Sequence, residues 1–233
     1  VRAGDFLLAE LRGGGRWRRS WQGGRARHLA YAGDYAWLVE AFTRLAEATG
    51  QARWVAEART TAAELIELFQ DGDGAGLFTT GHDAERLVVR QKDCYDGATP
   101  SANSVAALAL ARLGALTGDA ALTERATTIG AWLATPMAAH PTAFAYGVVA
   151  ADLADRGVTQ VAVTGDRPDL VAAGRRPFLP AVVLAWGEPY DSPLWEGRTG
   201  AAEAGRAYVC RDYACLAPVT TVEALTAQLV PRA

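Results

Sequence analysis

One helical register is written twice in this chain. Leu45, Thr49-Gly50, Trp54, Ala58 and Leu65 recur as Leu113, Thr117-Gly118, Leu122, Ala126 and Leu133, an offset of 68 residues. In each copy, apolar positions at helical spacing are interrupted by Thr-Gly and then resume, which is a helix stop followed by a second helix. Each copy is therefore a helical hairpin with an apolar side that one hairpin alone leaves bare. Hairpins that stack bury it, as in α/α toroids or solenoids. Superimposing the copies sets Tyr35 opposite Asn103 and Asp34 beside Ser101, so the two hairpins should begin on one rim.

The rest of the chain follows from pattern and breakers. Residues 1–11 read as the end of a helix stopped by Gly13-Gly14-Gly15, and Trp17 to Trp21 as a ribbon or loop exposing aromatic edges. Helices are predicted from Asp34 to Thr49, with Leu38, Ala41, Phe42, Leu45 and Ala48 on the core side, and over 52–69, with Trp54, Ala58, Ala62, Leu65 and Phe69 buried. Further helices are predicted from Ser101, from Asp119 through Leu133, and over 142–156. Two short strands, 77–80 and 86–90, are predicted as a hairpin-like excursion. Asp71-Gly72-Asp73-Gly74 invites a calcium loop, but Ala75 stands where a third ligand is needed and His82 where the closing Glu belongs. An Asp-Gly turn is the better reading. Beyond 157 the pattern changes to strands at 158–164, 181–185 and 207–210, with helices at 168–173 and 222–229 and a Gly/Pro-rich loop over 187–205. The division is helical hairpins over 1–157 and a small α/β segment over 158–233 packed on them.

Half of the 233 residues are hydrophobic and the net charge is −3, which argues against a nucleic-acid partner, since that would require a basic face. No apolar run approaches the roughly 20 residues of a membrane span. The three cysteines, Cys94, Cys210 and Cys215, are too few and odd in number for a secreted disulfide framework, so a cytoplasmic location is expected. The chain opens at Val1-Arg2, without Met and inside a helix, and reads as a fragment or processed C-terminal portion.

Candidate chemistry gathers around Lys92 to Ser104, a polar loop running into a helix; Lys92 is the sole lysine. Asp96, Ser101, Asn103 and Ser104 crowd the positive end of that helix, where polar ligands are well received. Asp34 and Asp96 are the best acid/base carboxylates, each beside an aromatic (Tyr35, Tyr95), with His28 a third candidate. Trp17, Trp21 and Trp37 could supply stacking surface. The structural alternatives are plain: Asp and Ser at helix starts cap them, and Trp in stacked helices is core. Cys210 and Cys215 form C-x4-C, matching neither a thioredoxin C-x-x-C site nor a zinc half-site. They read as packed cysteines or a redox pair. Thr164-Gly165-Asp166 lacks any nucleotide-loop pattern, so neither cofactor nor metal is expected.

Four segments carry a family resemblance: 25–28 (RARH), 33–36 (GDYA), 96–105 (DGATPSANSV) and 207–220 (AYVCRDYACLAPVT). Together they resemble the C-terminal part of the YyaL-type, spermatogenesis-associated protein 20-like family. The resemblance implies a mainly α fold, part of an (α/α)6 toroid of the six-hairpin glycosidase and N-acylglucosamine 2-epimerase type, with a small C-terminal α/β appendage. Full-length members also carry an N-terminal thioredoxin-like domain, which is not found in this chain, so the missing portion or another chain should complete the toroid. Two functions are compatible with it. The first is carbohydrate-related activity or sugar binding, with Asp34, Asp96 and His28 as catalytic groups and Tyr35, Lys92, Tyr95, Ser101, Asn103 and Trp21 around the sugar. The second is a non-catalytic scaffold supporting the redox domain.

Overall fold

The computed structural model describes residues 1–72, 74–198 and 205–229. Helix α1 (Arg2–Phe6) continues through a wider turn, Leu7–Leu11, into a meander of β1 (Arg12–Gly13), β2 (Arg16–Gln22) and β3 (Arg25–Leu29). Both connections are Gly-Gly pairs with φ between 59° and 75°, a geometry that glycine alone adopts without strain. The expected ribbon is present, but its tryptophans differ. Trp17 is buried against Phe42, and only Trp21 shows an open edge.

Helices α2 (Ala32–Thr49), α3 (Ala52–Phe69), α4 (Ala102–Thr117) and α5 (Ala120–Ala139) are the two repeated hairpins. The Thr-Gly breaker works the same way in both. Thr49 and Thr117 donate their hydroxyls to the carbonyls of Leu45 and Leu113, and Gly50 and Gly118 close the helices in the left-handed conformation. Asp119 caps α5 through Ala121 and Leu122 N–H, and α6 (Ala145–Arg156) follows a single 3-10 turn, Pro141–Ala143.

Helix α4 lies between α2 and α6, with α5 also packed on it, and every residue but Ala111 is buried. A helix apolar on all sides belongs in a core, and its alanines let neighbours approach closely. The α3 face is as expected. On α2 the buried side is turned: Tyr35, Val39, Phe42 and Ala46 are inside, Leu38 and Leu45 are half-buried, and Ala41 and Ala48 face out. The ring stack of Trp17, Phe42 and Trp54 holds Phe42 at the centre and sets that rotation.

The predicted strands at 77–80 and 86–90 do not form. Only an isolated bridge, Gln70 to Leu77, is made, and Leu87, Val88 and Val89 are exposed. The backbone there is committed elsewhere. Leu77 pairs with the Asn103 side chain, Phe78 N–H with Phe69, and Thr79 with Ala32 and Gln91. Asp73 of the Asp-Gly turn lies outside the described residues, as do 199–204 of the later loop.

The remaining elements are β4 (Thr159–Val163), α7 (Pro168–Arg175), β5 (Val182–Trp186), β6 (Ala207–Arg211), β7 (Ala214–Cys215) and α8 (Val222–Leu229). The sheet order is β5-β4-β6-β7, with β4 and β5 parallel across the α7 crossover and the other pairs antiparallel. Alternation gives it two apolar faces: Ala162, Val183, Ala185 and Cys210 join the helical core, while Val161, Val163, Leu184 and Val209 lie with α7 and α8. The protein is thus mainly helical with a small mixed sheet. Among the described residues the helical part holds two stacked hairpins, α2–α3 and α4–α5, with α6 packed on α4.

Candidate functional site

The starts of α2 and α4 do share a rim: a Cβ at Gly33 would sit 3.9 Å from that of Ala102. On this rim Lys92, Asp96, Ser101 and Asn103 each have a structural bond. Asp96 Oδ1 accepts from Ser101 N–H (2.8 Å), and Oδ2 accepts from Tyr146 and Gly147 N–H (2.7 and 3.0 Å). One carboxylate therefore ties the beginnings of α4 and α6 together. Ser101 caps α4, accepting from Ser104 N–H at 3.1 Å. Asn103, fully buried, accepts from Leu77 N–H and donates to the carbonyls of Leu77 and Asp93. Lys92 reaches Asp71 (2.5 Å) and the Ala75 carbonyl (2.6 Å), beside the rings of Phe78 and Trp132.

The other candidates are dispersed. Asp34 accepts from Tyr31 N–H at 2.8 Å, closing the start of α2, with Arg19 at 3.8 Å. Tyr35 is buried, its hydroxyl accepting from Arg16 and Trp17 N–H. His28 is exposed on β3 with φ of 56°, and Trp21 donates to Glu10 at the ribbon's outer edge. Tyr95 stands half-exposed with its ring against Phe144. Lys92, Asp96, Ser101 and Asn103 are thus brought to one seam, whereas His28 and Trp21 lie on the ribbon. Partial desolvation, with a smaller push from Asp96 and against a backbone hydrogen bond that lowers it, raises the carboxyl of the otherwise exposed Asp93 above its ordinary value, and burial followed by Asp93 raises the Cys94 thiol.

Sequence reasoning missed a groove of about 610 Å³ lined by α2, α4, α6 and the stretch from the end of α7 into β5. Arg44, Leu108, Tyr146, Val149, Arg175 and Phe178 are among its walls. Beneath it the Arg112 guanidinium, wholly buried, donates to both oxygens of Glu47 (3.0 and 2.9 Å) and to the Pro180 carbonyl (2.7 Å). Glu40 takes a bond from Arg44 Nε at 2.7 Å, while its Oε2 and Arg112 Nε, 3.9 Å apart, each lack a hydrogen bond. Burial works against the Arg44 charge, but Glu40 and Glu47 more than offset it and raise its basicity. Burial, then Glu40, pushes the Tyr146 phenol up. The Trp37 ring, partly exposed, lies 5.5 Å from that of Tyr146.

The signal for this cluster was present. Glu40 and Glu47 sit seven apart, on one side of a helix, and Arg112 interrupts an otherwise apolar run. A second cleft of about 820 Å³ lies between α3, the turn joining α4 to α5 and Pro193; in it Arg59 Nη2 donates to the carbonyls of Thr117 and Asp191. Among the described residues no group of three or more His, Cys, Asp or Glu could hold a metal ion, and no helix is long and apolar enough to cross a membrane.

No protein-family model matches the chain. It is similar to spermatogenesis-associated protein 20 from Homo sapiens, 30% identical over 200 residues, and to the proteins of that name from Rattus norvegicus (28%) and Mus musculus (26%). Each alignment covers 80% of this chain and 25% of the relative, so the chain spans about a quarter of their length. These similarities support the spermatogenesis-associated protein 20-like family.

Proposed function

We propose that this chain is a non-catalytic scaffold region of a larger, cytoplasmic spermatogenesis-associated protein 20-like protein. It contributes stacked helical hairpins and a packed α/β segment that support functional parts carried elsewhere in that protein, a thioredoxin-like domain among them. The observation behind this reading is Asp96: both its oxygens accept backbone N–H groups, from two helices. A general acid or base must be able to exchange a proton with substrate, and a carboxylate with three backbone donors is occupied instead. The test is a thermal-shift screen with mono- and disaccharides and amino sugars on the parent and on Asp96→Asn. No sugar should act through Asp96. A sugar that stabilises the parent but not the folded variant would overturn the reading.

A second reading, of sugar binding beside the groove where Tyr146 meets Trp37, has one observation in its favour. Trp37 and Tyr146 present adjacent rings beside the Glu40–Arg44 pair, and flat rings flanked by hydrogen-bonding groups suit pyranose faces. If it holds, a saccharide quenches tryptophan fluorescence in the parent and not in Trp37→Ala, and Glu40→Gln weakens the response. A screen with no saccharide response in the parent ends it.

A further inference from the structure

The β6–β7 hairpin turns on Asp212 and Tyr213, both with positive φ (47° and 61°), and sets Cys210 directly opposite Cys215. The two are joined by a disulfide, their Cα atoms 3.9 Å apart. The two sulfurs meet different surroundings. Cys210 is fully buried and belongs to the helical core, whereas Cys215 is exposed. The Arg198 guanidinium donates to Cys215 Sγ at 3.0 Å. Arg198 is itself held in place, bonded to the Leu194 carbonyl at 2.9 Å and lying 4.6 Å from the Tyr208 ring. A fixed cation beside a sulfur favours its thiolate. The hairpin has a second anchor, since Tyr213 donates to the carbonyls of Gly114 and Ala115, so it can stay seated when the disulfide opens. A cross-link with only a structural role needs neither an exposed sulfur nor a guanidinium against it.

We propose that Cys210 and Cys215 form a thiol–disulfide exchange site for a small thiol couple of the glutathione class, with Cys215 the sulfur that meets the partner. In the reducing direction the partner thiolate attacks Cys215 Sγ and forms a new S–S bond. The Cys210–Cys215 bond breaks, and its electron pair leaves on Cys210 Sγ, which takes up the proton given up by the partner thiol on ionising. A second partner thiolate then attacks the partner sulfur of that mixed disulfide. This releases Cys215 as a thiolate beside Arg198 and yields the oxidised partner. Two thiols are oxidised to one disulfide while the protein disulfide becomes a dithiol, and the same steps reversed oxidise the protein.

The experiment equilibrates the whole chain, folded, with graded ratios of reduced and oxidised glutathione, quenches it, and maps Cys94, Cys210 and Cys215 by mass spectrometry. The bond should open and close within that range while circular dichroism stays native, and trapped glutathione should sit on Cys215. Arg198→Gln, a substitution on a loop, should shift the equilibrium toward the disulfide and slow alkylation of Cys215, each about three- to tenfold, the equivalent of about half to one pKa unit. The proposal is overturned if the bond opens only when the chain unfolds, or if glutathione maps to Cys94 or Cys210. Unchanged equilibrium and rate in Arg198→Gln would equally overturn it.

Discussion

Removing the Asp96 carboxylate should loosen two helices at once. Asp96→Ala deprives Ser101, Tyr146 and Gly147 of the acceptor for their N–H groups, at 2.8, 2.7 and 3.0 Å. Hydrogen bonds to a charged group contribute about 1.5–3 kcal/mol each where burial is complete. Tyr146 is only half-buried and its N–H can find water, so about 1 kcal/mol per bond, the usual value of a lost cap, is the better figure. The sum is about 3 kcal/mol, which in a chain of this size lowers the melting midpoint by about 6–12 °C. Asp96→Asn can keep its oxygen toward α6 and loses mainly the Ser101 bond, for about 1 kcal/mol and about 2–4 °C. Far-UV circular dichroism melts of the three proteins measure this directly. If Asp96→Ala melts within about 2 °C of the parent, the carboxylate does not join α4 to α6 and the scaffold argument fails with it.

Three further outcomes follow from the same contacts. Arg112→Met leaves Glu47 without its buried bidentate partner and should cost about 3–5 kcal/mol in urea unfolding, part of it recovered by adding Glu47→Gln. A cost below about 1 kcal/mol would mean that water already reaches the pair. Gly50→Ala and Gly118→Ala each force a left-handed alanine, for about 1–2 kcal/mol. Gly118→Ala should be the worse, since its new Cβ lies 2.4 Å from Pro193 and that at Gly50 lies 3.0 Å from the Trp186 ring; the reverse order in urea midpoints would contradict these contacts. Asp93 titrates higher in the fold than in the unfolded chain, where 3.8 is expected, so its stabilising contribution is full below that value and is lost as pH rises through the folded one. Asp93→Asn should therefore raise the urea midpoint at pH 7 and make little difference near pH 4; an equal effect at both would exclude ionisation as the cause.

What was legible in the sequence was whatever a local pattern dictates. Thr-Gly at 49–50 and 117–118 announced both hairpins, because a left-handed C-cap requires glycine almost regardless of context. Ser101 and Asp119 announced helix starts for a similar reason. The failures are tertiary. Residues 86–90 have strand-like residues, but their would-be partner at 77–80 bonds to Asn103, Phe69 and Ala32. Spacing does not show where a buried asparagine will be spent. The turn of the α2 face came from Trp17, distant in sequence. Asp96 and Ser101 do sit at the start of α4, but the same residues that suit a ligand suit a helix start. Charged groups at Glu40, Glu47 and Arg112 were passed over because each looked like an ordinary helix residue until α2 and α4 were set side by side.

The two ends of the helical row differ, and the difference limits what could bind. At the C-terminal ends the last carbonyls of α2 and α4 are occupied by the segment after α7. Trp186 donates to Glu47, Glu188 N–H to Gly50, Ser192 to Leu116, and Tyr213 to Gly114 and Ala115. At the opposite rim the positive helix ends are already answered, α2 by Asp34 and both α4 and α6 by Asp96. An anionic ligand arriving there finds carboxylates where bare N–H groups would have held it. Sugar phosphates and inorganic phosphate should therefore stabilise the parent no more than neutral sugars do. Phosphate should gain a response in Asp96→Ala, in which two helix starts are exposed. A phosphate-dependent rise in the parent's melting midpoint, absent with neutral sugars, would show that these helix ends remain available and would reverse the argument.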